Sequence, residues 1–151
     1  MFVTREFTFD SAHFLTDYYG KCERMHGHTY KLQVTLEGKV QSNGLLIDFV
    51  LIKRIVDKHV LEKLDHHLLN DVIDNPSAER IILWIWERLQ DLQKLLQDEL
   101  NDPNLGKEIK ALLKKSDQKS KLGKLEFDKA LKLYELKLWE TPNAFITYRG
   151  E

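Results

Sequence analysis

The residues of this chain that could do chemistry are concentrated in one short stretch, residues 22–30, which reads CERMHGHTY. It holds the only cysteine of the chain, followed by His26 and His28 with a single glycine between them. Neutral imidazoles are good zinc ligands, and a cysteine whose pKa is lowered by a cation or an imidazole can act as a base. The stretch therefore indicates either a metal site with a thiol beside it or a loop that leads into a strand. Taken alone, a single cysteine such as Cys22 is more typical of a small buried apolar group.

The direction of the histidine side chains follows from the strands that carry them. Alternating apolar and polar residues predict a first strand over residues 3–9, and the parity of its apolar residues continues to His13. In a second strand, His26 and His28 share a face with the apolar residues Tyr30, Leu32, Val34 and Leu36. If the two strands are antiparallel neighbours, the end of the first lies beside the start of the second. His13, His26 and His28 are then expected to meet at the rim of the sheet.

Three converging imidazoles predict a divalent metal site, and this ligand type favours zinc. Three protein ligands leave a fourth coordination position for water or substrate, as in a catalytic rather than a structural zinc site. The alternative is three core histidines, each satisfied by its own hydrogen bond, because an H-x-H motif alone is weak. The matching parities of His13, His26 and His28 favour the metal site.

Two further segments carry groups suited to proton transfer or ligand binding. Asp65-His66-His67 follows the first predicted helix, where an aspartate could orient an imidazole and raise its basicity. The alternative is a polar helix end. Glu140 closes an apolar strand face formed by Tyr134, Leu136 and Leu138, where a carboxylate must be solvated or paired. It could accept two parallel N–H bonds from a flat ligand such as an aminopyrimidinone ring, or it could simply emerge into water.

The whole pattern predicts the order strand, strand, helix, helix, strand, strand: an α+β domain with two helices on an antiparallel four-stranded sheet. Asp48 is expected to cap the first helix, and Asn75-Pro76 to open the second. Residues 93–130 include the lysine-rich run KEIKALLKKSDQKSKLGK. We expect a helical extension there, followed by an exposed, partly mobile insertion whose basic surface is solvated rather than a site for anionic ligands.

Composition limits the classes of function. A chain of 151 residues with a formal charge of -1 suits one globular domain and has no field that would hold nucleic acid. No apolar run approaches the roughly 20 residues of a membrane span, and the N-terminal residues lack the pattern of a signal peptide. A single cysteine cannot form an internal disulfide, which fits a reducing cytoplasm.

Six motifs taken together resemble the 6-pyruvoyl-tetrahydropterin synthase family: FDSAHFL, CERMHGHTY, GLLIDF, LDHHLLND, NPSAE and WETPNAFITYRG. They are most similar to its bacterial branch, 6-carboxy-5,6,7,8-tetrahydropterin synthase of queuosine biosynthesis. The likeness covers residues 1–92 and 131–151. It implies one tunnelling-fold (T-fold) domain over residues 1–151, interrupted by the insertion, and a homo-oligomer that is a trimer or a dimer of trimers.

The resemblance also implies roles for individual residues. Zn²⁺ would be held by His13, His26 and His28. Cys22 would be the catalytic thiolate that accepts a proton, and Asp65 and His66 would be a relay pair supplied by a neighbouring subunit.

On the substrate side, Glu140 would anchor the pterin ring, and Ser77 and Glu79 match a further motif near the ligand. The implied reaction converts 7,8-dihydroneopterin triphosphate and water into 6-carboxytetrahydropterin, acetaldehyde and triphosphate.

The spacing between the cysteine and HGH distinguishes the branches of the family. Three residues separate Cys22 from HGH, as in the carboxy-pterin enzymes, whereas animal-type pyruvoyl enzymes have more. Glu23 is either a solvated loop residue or a substrate-side group, as in relatives that make 6-hydroxymethyl-7,8-dihydropterin from dihydroneopterin for folate synthesis. Carboxy-pterin synthesis is therefore the first hypothesis, and a dual, folate-type or 6-pyruvoyl-tetrahydropterin synthase is the alternative. A non-catalytic metal- or pterin-binding module would have no use for Cys22 or for Asp65-His66.

Overall fold

In the computed structural model, which describes residues 1–16, 18–105, 107 and 127–151, one five-stranded sheet carries helices on one face. The strands are β1 (Phe2–His13), β2 (His26–Glu37), β3 (His67–Leu68), β4 (Lys132–Thr141) and β5 (Ala144–Tyr148). The helices are α1 (Phe49–Val56), α2 (Glu62–Leu64), α3 (Ala78–Leu89) and α4 (Leu92–Leu100). A π-helical segment, Asp57–Leu61, joins α1 to α2, and short 3₁₀ turns lie at Lys21–Glu23 and Leu69–Asp71. No helix in the described ranges is long and apolar enough to cross a bilayer.

The sheet has the strand order β3-β1-β2-β4-β5. β1 and β2 are antiparallel over their full length, and β4 and β5 extend the antiparallel sheet. These four strands confirm the predicted α+β architecture. The two-residue β3 was not predicted: it lies parallel to β1 at Ser11 and Ala12 and makes the sheet mixed.

The two main helices begin at polar caps. The Asp48 side chain accepts a hydrogen bond from the backbone N–H of Val50 at 2.8 Å, which confirms the predicted start of α1. The prediction that Asn75 caps the second helix is wrong, because α3 is capped by the Ser77 hydroxyl, which accepts from the backbone N–H of Arg80. Asn75 instead adopts a left-handed conformation, which asparagine tolerates better than most residues, and its side chain accepts from the backbone N–H of Thr16.

A β-bulge in β4 changes which residues face the core. Thr35 pairs with Glu135, whereas the next residue of β2, Leu36, pairs with Leu133, so Tyr134 is an extra residue in the ladder. The prediction that Tyr134 shares a face with Leu136 and Leu138 is therefore wrong. The Tyr134 ring packs on Phe2, with centroids 4.4 Å apart, and Leu133 is buried in the core.

The helical extension predicted near residue 93 is present as α4, and it is part of the hydrophobic core. Leu92, Leu95 and Leu96 are buried, and Glu99, 1% exposed, pairs with Arg54 of α1 at 2.8 Å. Leu105 and Leu131 are buried on either side of the lysine-rich run. The exposed insertion predicted beyond α4 falls mainly on residues 108–126, which lie outside the described residues.

Candidate active site

Three histidines converge at one end of the β1-β2 ladder. The antiparallel register places His13 directly opposite His26, and His28 follows on the same face of β2. One nitrogen from each ring lies within 4.8 Å of the others, and the Nε2 atoms of His13 and His26 are 3.0 Å apart. The convergence expected from strand parity is therefore present.

Backbone carbonyls fix the tautomers of two of these rings. Nδ1 of His13 donates to the carbonyl of Pro76 at 2.8 Å, and Nδ1 of His26 donates to the carbonyl of Arg24 at 2.7 Å. A carbonyl oxygen can only accept, so in each neutral ring the proton is on Nδ1 and Nε2 carries a lone pair. Two such lone pairs at 3.0 Å repel unless a cation lies between them. A histidine that binds a metal through Nε2 usually donates its Nδ1 proton to a carbonyl or carboxylate in the same way.

The third ring, His28, has a buried nitrogen that nothing satisfies. Its Nε2 has no hydrogen-bond partner among the described residues. Burial has the largest effect and lowers the pKa of His28; Glu140 opposes it, and His13 and His26 lower the pKa by smaller amounts. The ring is therefore neutral near neutral pH, with an unsatisfied polar atom that costs free energy unless it binds something.

These three residues fit a divalent metal ion. Two nitrogens are presented by anchored rings and the third is buried and unpartnered, which is the donor set of a three-histidine site. The alternative of three core histidines, each satisfied by its own hydrogen bond, fails at His28.

Glu140 lies against the histidines. Its Oε1 is 3.5 Å from His13 Nε2 and 3.8 Å from His28 Nε2, and its side chain is 30% exposed. The register between β4 and β5 shifts between Trp139 and Thr141, so Glu140 occupies an irregular position of the kind that redirects a side chain. The carboxylate is thus only partly exposed and lies close to the histidines.

Cys22 lies in the 3₁₀ turn Lys21–Glu23 and is partly buried. Its carbonyl accepts from the backbone N–H of Leu15 at 3.0 Å, which ties the turn to the end of β1. The turn lies between β1 and β2, and three residues separate Cys22 from the histidine end of β2. Glu23 is exposed and borders a separate surface concavity with Lys21.

Asp65 and His66 form a contact pair at the edge of β1. Asp65 Oδ1 is 2.9 Å from His66 Nδ1 and accepts from the backbone N–H of Asp10 at 2.9 Å. These contacts lower the pKa of Asp65, and the Asp10 N–H has the largest effect. His66 borders an open cleft together with His28. Within one chain, no hydrogen bond or ion pair of the described residues connects the pair to Cys22.

Ser77 and Glu79, which the sequence places near the ligand, lie at the start of α3. Ser77 serves as the helix cap, and Glu79 is an exposed residue of the first turn. The group in this segment that reaches the histidines is the carbonyl of Pro76.

With this geometry established, comparison with known proteins identifies the family. Residues 2–102 match the model of the 6-pyruvoyl tetrahydropterin synthase family. The chain belongs to this family. It is 33% identical over 151 residues to 6-carboxy-5,6,7,8-tetrahydropterin synthase of Haemophilus influenzae, covering 97% of both chains. It is 42% identical over 83 residues to dihydroneopterin monophosphate aldolase of Pyrococcus furiosus, which is 55% of this chain and 69% of that one.

The fold agrees with this family. The structure of 6-pyruvoyl tetrahydropterin synthase of Caenorhabditis elegans superposes with a TM-score of 0.66 at 21% identity, covering 100% of this chain and 96% of that one. The predicted T-fold is therefore confirmed, and the chain is a lyase-type enzyme of the tetrahydropterin synthase family.

The sequence did not predict two kinds of groups that contact the histidines: backbone carbonyls and a tyrosine hydroxyl. The carbonyls of Pro76 and Arg24 give no sequence signal, because any residue could supply them. The hydroxyl of Tyr30, fully buried and 3.4 Å from His13 Nδ1, was assigned to the core by its strand parity. Its signal was available, because a buried tyrosine hydroxyl usually needs a polar partner.

Proposed function

We propose that this chain is a zinc-dependent 6-carboxy-5,6,7,8-tetrahydropterin synthase of queuosine (7-deazaguanine) biosynthesis. It would convert 7,8-dihydroneopterin triphosphate and water into 6-carboxytetrahydropterin, acetaldehyde and triphosphate. The observation that carries the proposal is the position of Cys22, partly buried in the turn directly before the histidine end of β2, while Glu23 is exposed. The similarity to the Haemophilus influenzae enzyme over nearly the whole chain supports the same reaction.

In this proposal zinc is held by His13, His26 and His28. When bound, the ion supplies Lewis-acid polarisation of the substrate's side-chain hydroxyls. The carbonyls of Pro76 and Arg24 keep two of the rings oriented with Nε2 toward the ion.

The residues around the histidines transfer protons and bind the pterin ring. The Sγ atom of Cys22 accepts the proton removed beside the pterin ring, which a thiolate next to imidazoles can do. Glu140 accepts N–H bonds from the ring and fixes its orientation, and Ser77 and Glu79 border the ligand. Asp65 and His66 return protons to the substrate as a relay pair.

The relay requires a second chain. Among the described residues, no hydrogen bond or ion pair of one chain joins Asp65 or His66 to Cys22, and both lie at the edge of the sheet, where His66 is 77% exposed. We therefore propose a homo-oligomer, a trimer or a dimer of trimers, in which the pair of one subunit serves the cysteine of the next. We place this enzyme in the cytoplasm, where its single cysteine stays reduced.

A second function has specific support. The chain is 42% identical over 83 residues to dihydroneopterin monophosphate aldolase, and Glu23 lies beside Cys22. A dual or folate-type enzyme would release 6-hydroxymethyl-7,8-dihydropterin from dihydroneopterin, with Glu23 acting on the substrate. Synthesis of 6-pyruvoyl-tetrahydropterin is the remaining family alternative.

Product analysis decides between these reactions. The wild type, Cys22→Ala and its neighbour control Glu23→Ala would be incubated with 7,8-dihydroneopterin or its triphosphate, and the pterins identified by mass spectrometry. We expect 6-carboxytetrahydropterin from the wild type and from Glu23→Ala. Cys22→Ala should keep its fold and metal but lose roughly 10²–10⁴-fold in turnover, the usual contribution of a positioned acid or base.

Two results would contradict this proposal. Full activity of Cys22→Ala would remove the thiolate from the mechanism. Formation of 6-hydroxymethyl-7,8-dihydropterin by the wild type, with a loss in Glu23→Ala, would favour the dual or folate-type enzyme.

A further inference from the structure

With neutral histidine rings, hydrogen bonding does not explain the contact between Glu140 and the histidines. In the neutral ring of His13, Nε2 carries a lone pair, because Nδ1 donates to the Pro76 carbonyl. A carboxylate oxygen 3.5 Å from that lone pair is repelled rather than held. The distance from Glu140 to His28 Nε2 is 3.8 Å, which is too long for a hydrogen bond.

The same distances fit atoms that share a cation. Two ligand atoms on one tetrahedral zinc ion, each bound at 2.0–2.2 Å, lie roughly 3.3–3.6 Å apart. The separation of Glu140 Oε1 from His13 Nε2 is 3.5 Å, and that from His28 Nε2 is 3.8 Å. The carboxylate therefore approaches the His13–His28 edge of the triad at about the spacing of a further ligand.

The position of Glu140 on the chain supports this reading. It follows Leu136 and Leu138 on the core face of β4, and the strand becomes irregular at that point. A carboxylate on an apolar face must be solvated or paired, and Glu140, 30% exposed, makes no ion pair with a Lys or Arg of the described residues. Its polar contacts there are the imidazoles of His13 and His28.

We infer that Glu140 is a fourth metal ligand in the substrate-free enzyme. The inference rests on the proposed metal centre and adds a second role to Glu140, which would anchor the ring once substrate is bound. One carboxylate cannot hold the ion and accept two N–H bonds from the ring at full strength. Substrate binding would therefore release Glu140 from the metal and open the fourth position only when the ring is in place.

Cobalt binding to the substrate-free full chain tests this inference without any activity assay. Co²⁺ would be titrated into the wild type, Glu140→Gln and Glu135→Gln, with affinity measured by chelator competition and ligand number by the d–d absorption spectrum. Glu135 is the matched control: it lies on the same strand but pairs with Arg149 at 2.7 Å, away from the histidines. Glutamine keeps the size of the side chain and removes its charge.

We expect the wild type and Glu135→Gln to bind one Co²⁺ per chain with the same spectrum. Glu140→Gln should bind at least about tenfold more weakly, the lower end of the effect of losing a supporting group at a metal site, and its spectrum should change. Equal affinity and an identical spectrum for Glu140→Gln would overturn the inference while leaving the three-histidine centre intact. Absence of Co²⁺ binding by the wild type would overturn the metal centre itself, and the inference with it.

Discussion

At the scale of single residues, the dyad of Asp65 and His66 is held by the backbone of β1 rather than by side chains. The Asp10 N–H donates to Asp65 Oδ1 at 2.9 Å, and the Asp10 carbonyl accepts from the backbone N–H of His66 at 2.7 Å. To make both contacts, His66 adopts a left-handed conformation with φ of 59°, which is uncommon for a residue with a Cβ. A strained backbone held by two hydrogen bonds is typical of a functional position and supports the relay proposed for this pair.

The charge of Asp65 gives a testable pH dependence. Its pKa is lowered in the folded protein, so ionised Asp65 stabilises the fold above the unfolded value of about 3.9, and this contribution disappears as pH falls through the folded pKa. Because the side chain is 40% exposed, the effect should be no more than about 1 kcal/mol. Near pH 7 the wild type should therefore melt at a higher temperature than Asp65→Asn. The two melting temperatures should converge toward pH 3. Asp71→Asn, an exposed neighbour, is the control, and a difference that grows in acid would contradict the assignment.

At the scale of elements, α4 joins the sheet domain through both apolar and charged contacts. Leu96 is fully buried, and Glu99 reaches Arg54 of α1 and Lys58 of the π-helical segment. A buried carboxylate with two basic partners fixes where the helix packs, although such pairs contribute less to stability than to specificity. The segment that follows α3, from Leu92 to Leu105, therefore packs as part of the folded domain.

This packing predicts a clear difference between two positions of α4. Leu96→Ala should lower the free energy of unfolding by roughly 2–5 kcal/mol, because it removes a buried side chain and leaves a cavity. Lys94→Ala on the exposed face should change it by no more than about 0.5 kcal/mol. Urea unfolding of both variants measures the difference. Equal midpoints would mean that α4 is not part of the cooperative core.

Sequence periodicity predicted the long strands and, with them, the meeting of the histidines. Alternation fixes the face on which each histidine lies, and the antiparallel pairing of two twelve-residue strands places His13 opposite His26. Alternation could not reveal the bulge at Tyr134, which reverses parity by a single extra residue. Nor could it reveal β3, because two residues carry no period. The approach of Glu140 to His13 is a tertiary contact with no local signal.

At the scale of the whole molecule, no hydrogen bond or ion pair among the described residues of one chain joins Cys22 to the Asp65-His66 dyad. Cys22 lies in the turn before β2, whereas the dyad lies at the outer edge of β1, where His66 borders a cleft together with His28. The other edge of the sheet is β5, where Phe145 is 54% exposed. A closed ring of identical subunits would join one edge of each chain to the other edge of the next, and would bring the dyad of one chain toward the cysteine of another.

Subunit mixing tests whether the dyad of one chain serves the cysteine of another. Cys22→Ala and His66→Ala should each be nearly inactive alone, because each lacks one proton-transfer group. In randomly mixed oligomers, about a quarter of the interfaces would pair an intact cysteine with an intact imidazole, so up to about a quarter of wild-type carboxy-pterin formation should return. Co-refolding of Cys22→Ala with Cys22→Ser is the control and should restore nothing. If the dyad served its own chain, every site in the first mixture would still lack one group, and an inactive mixture would refute the shared site.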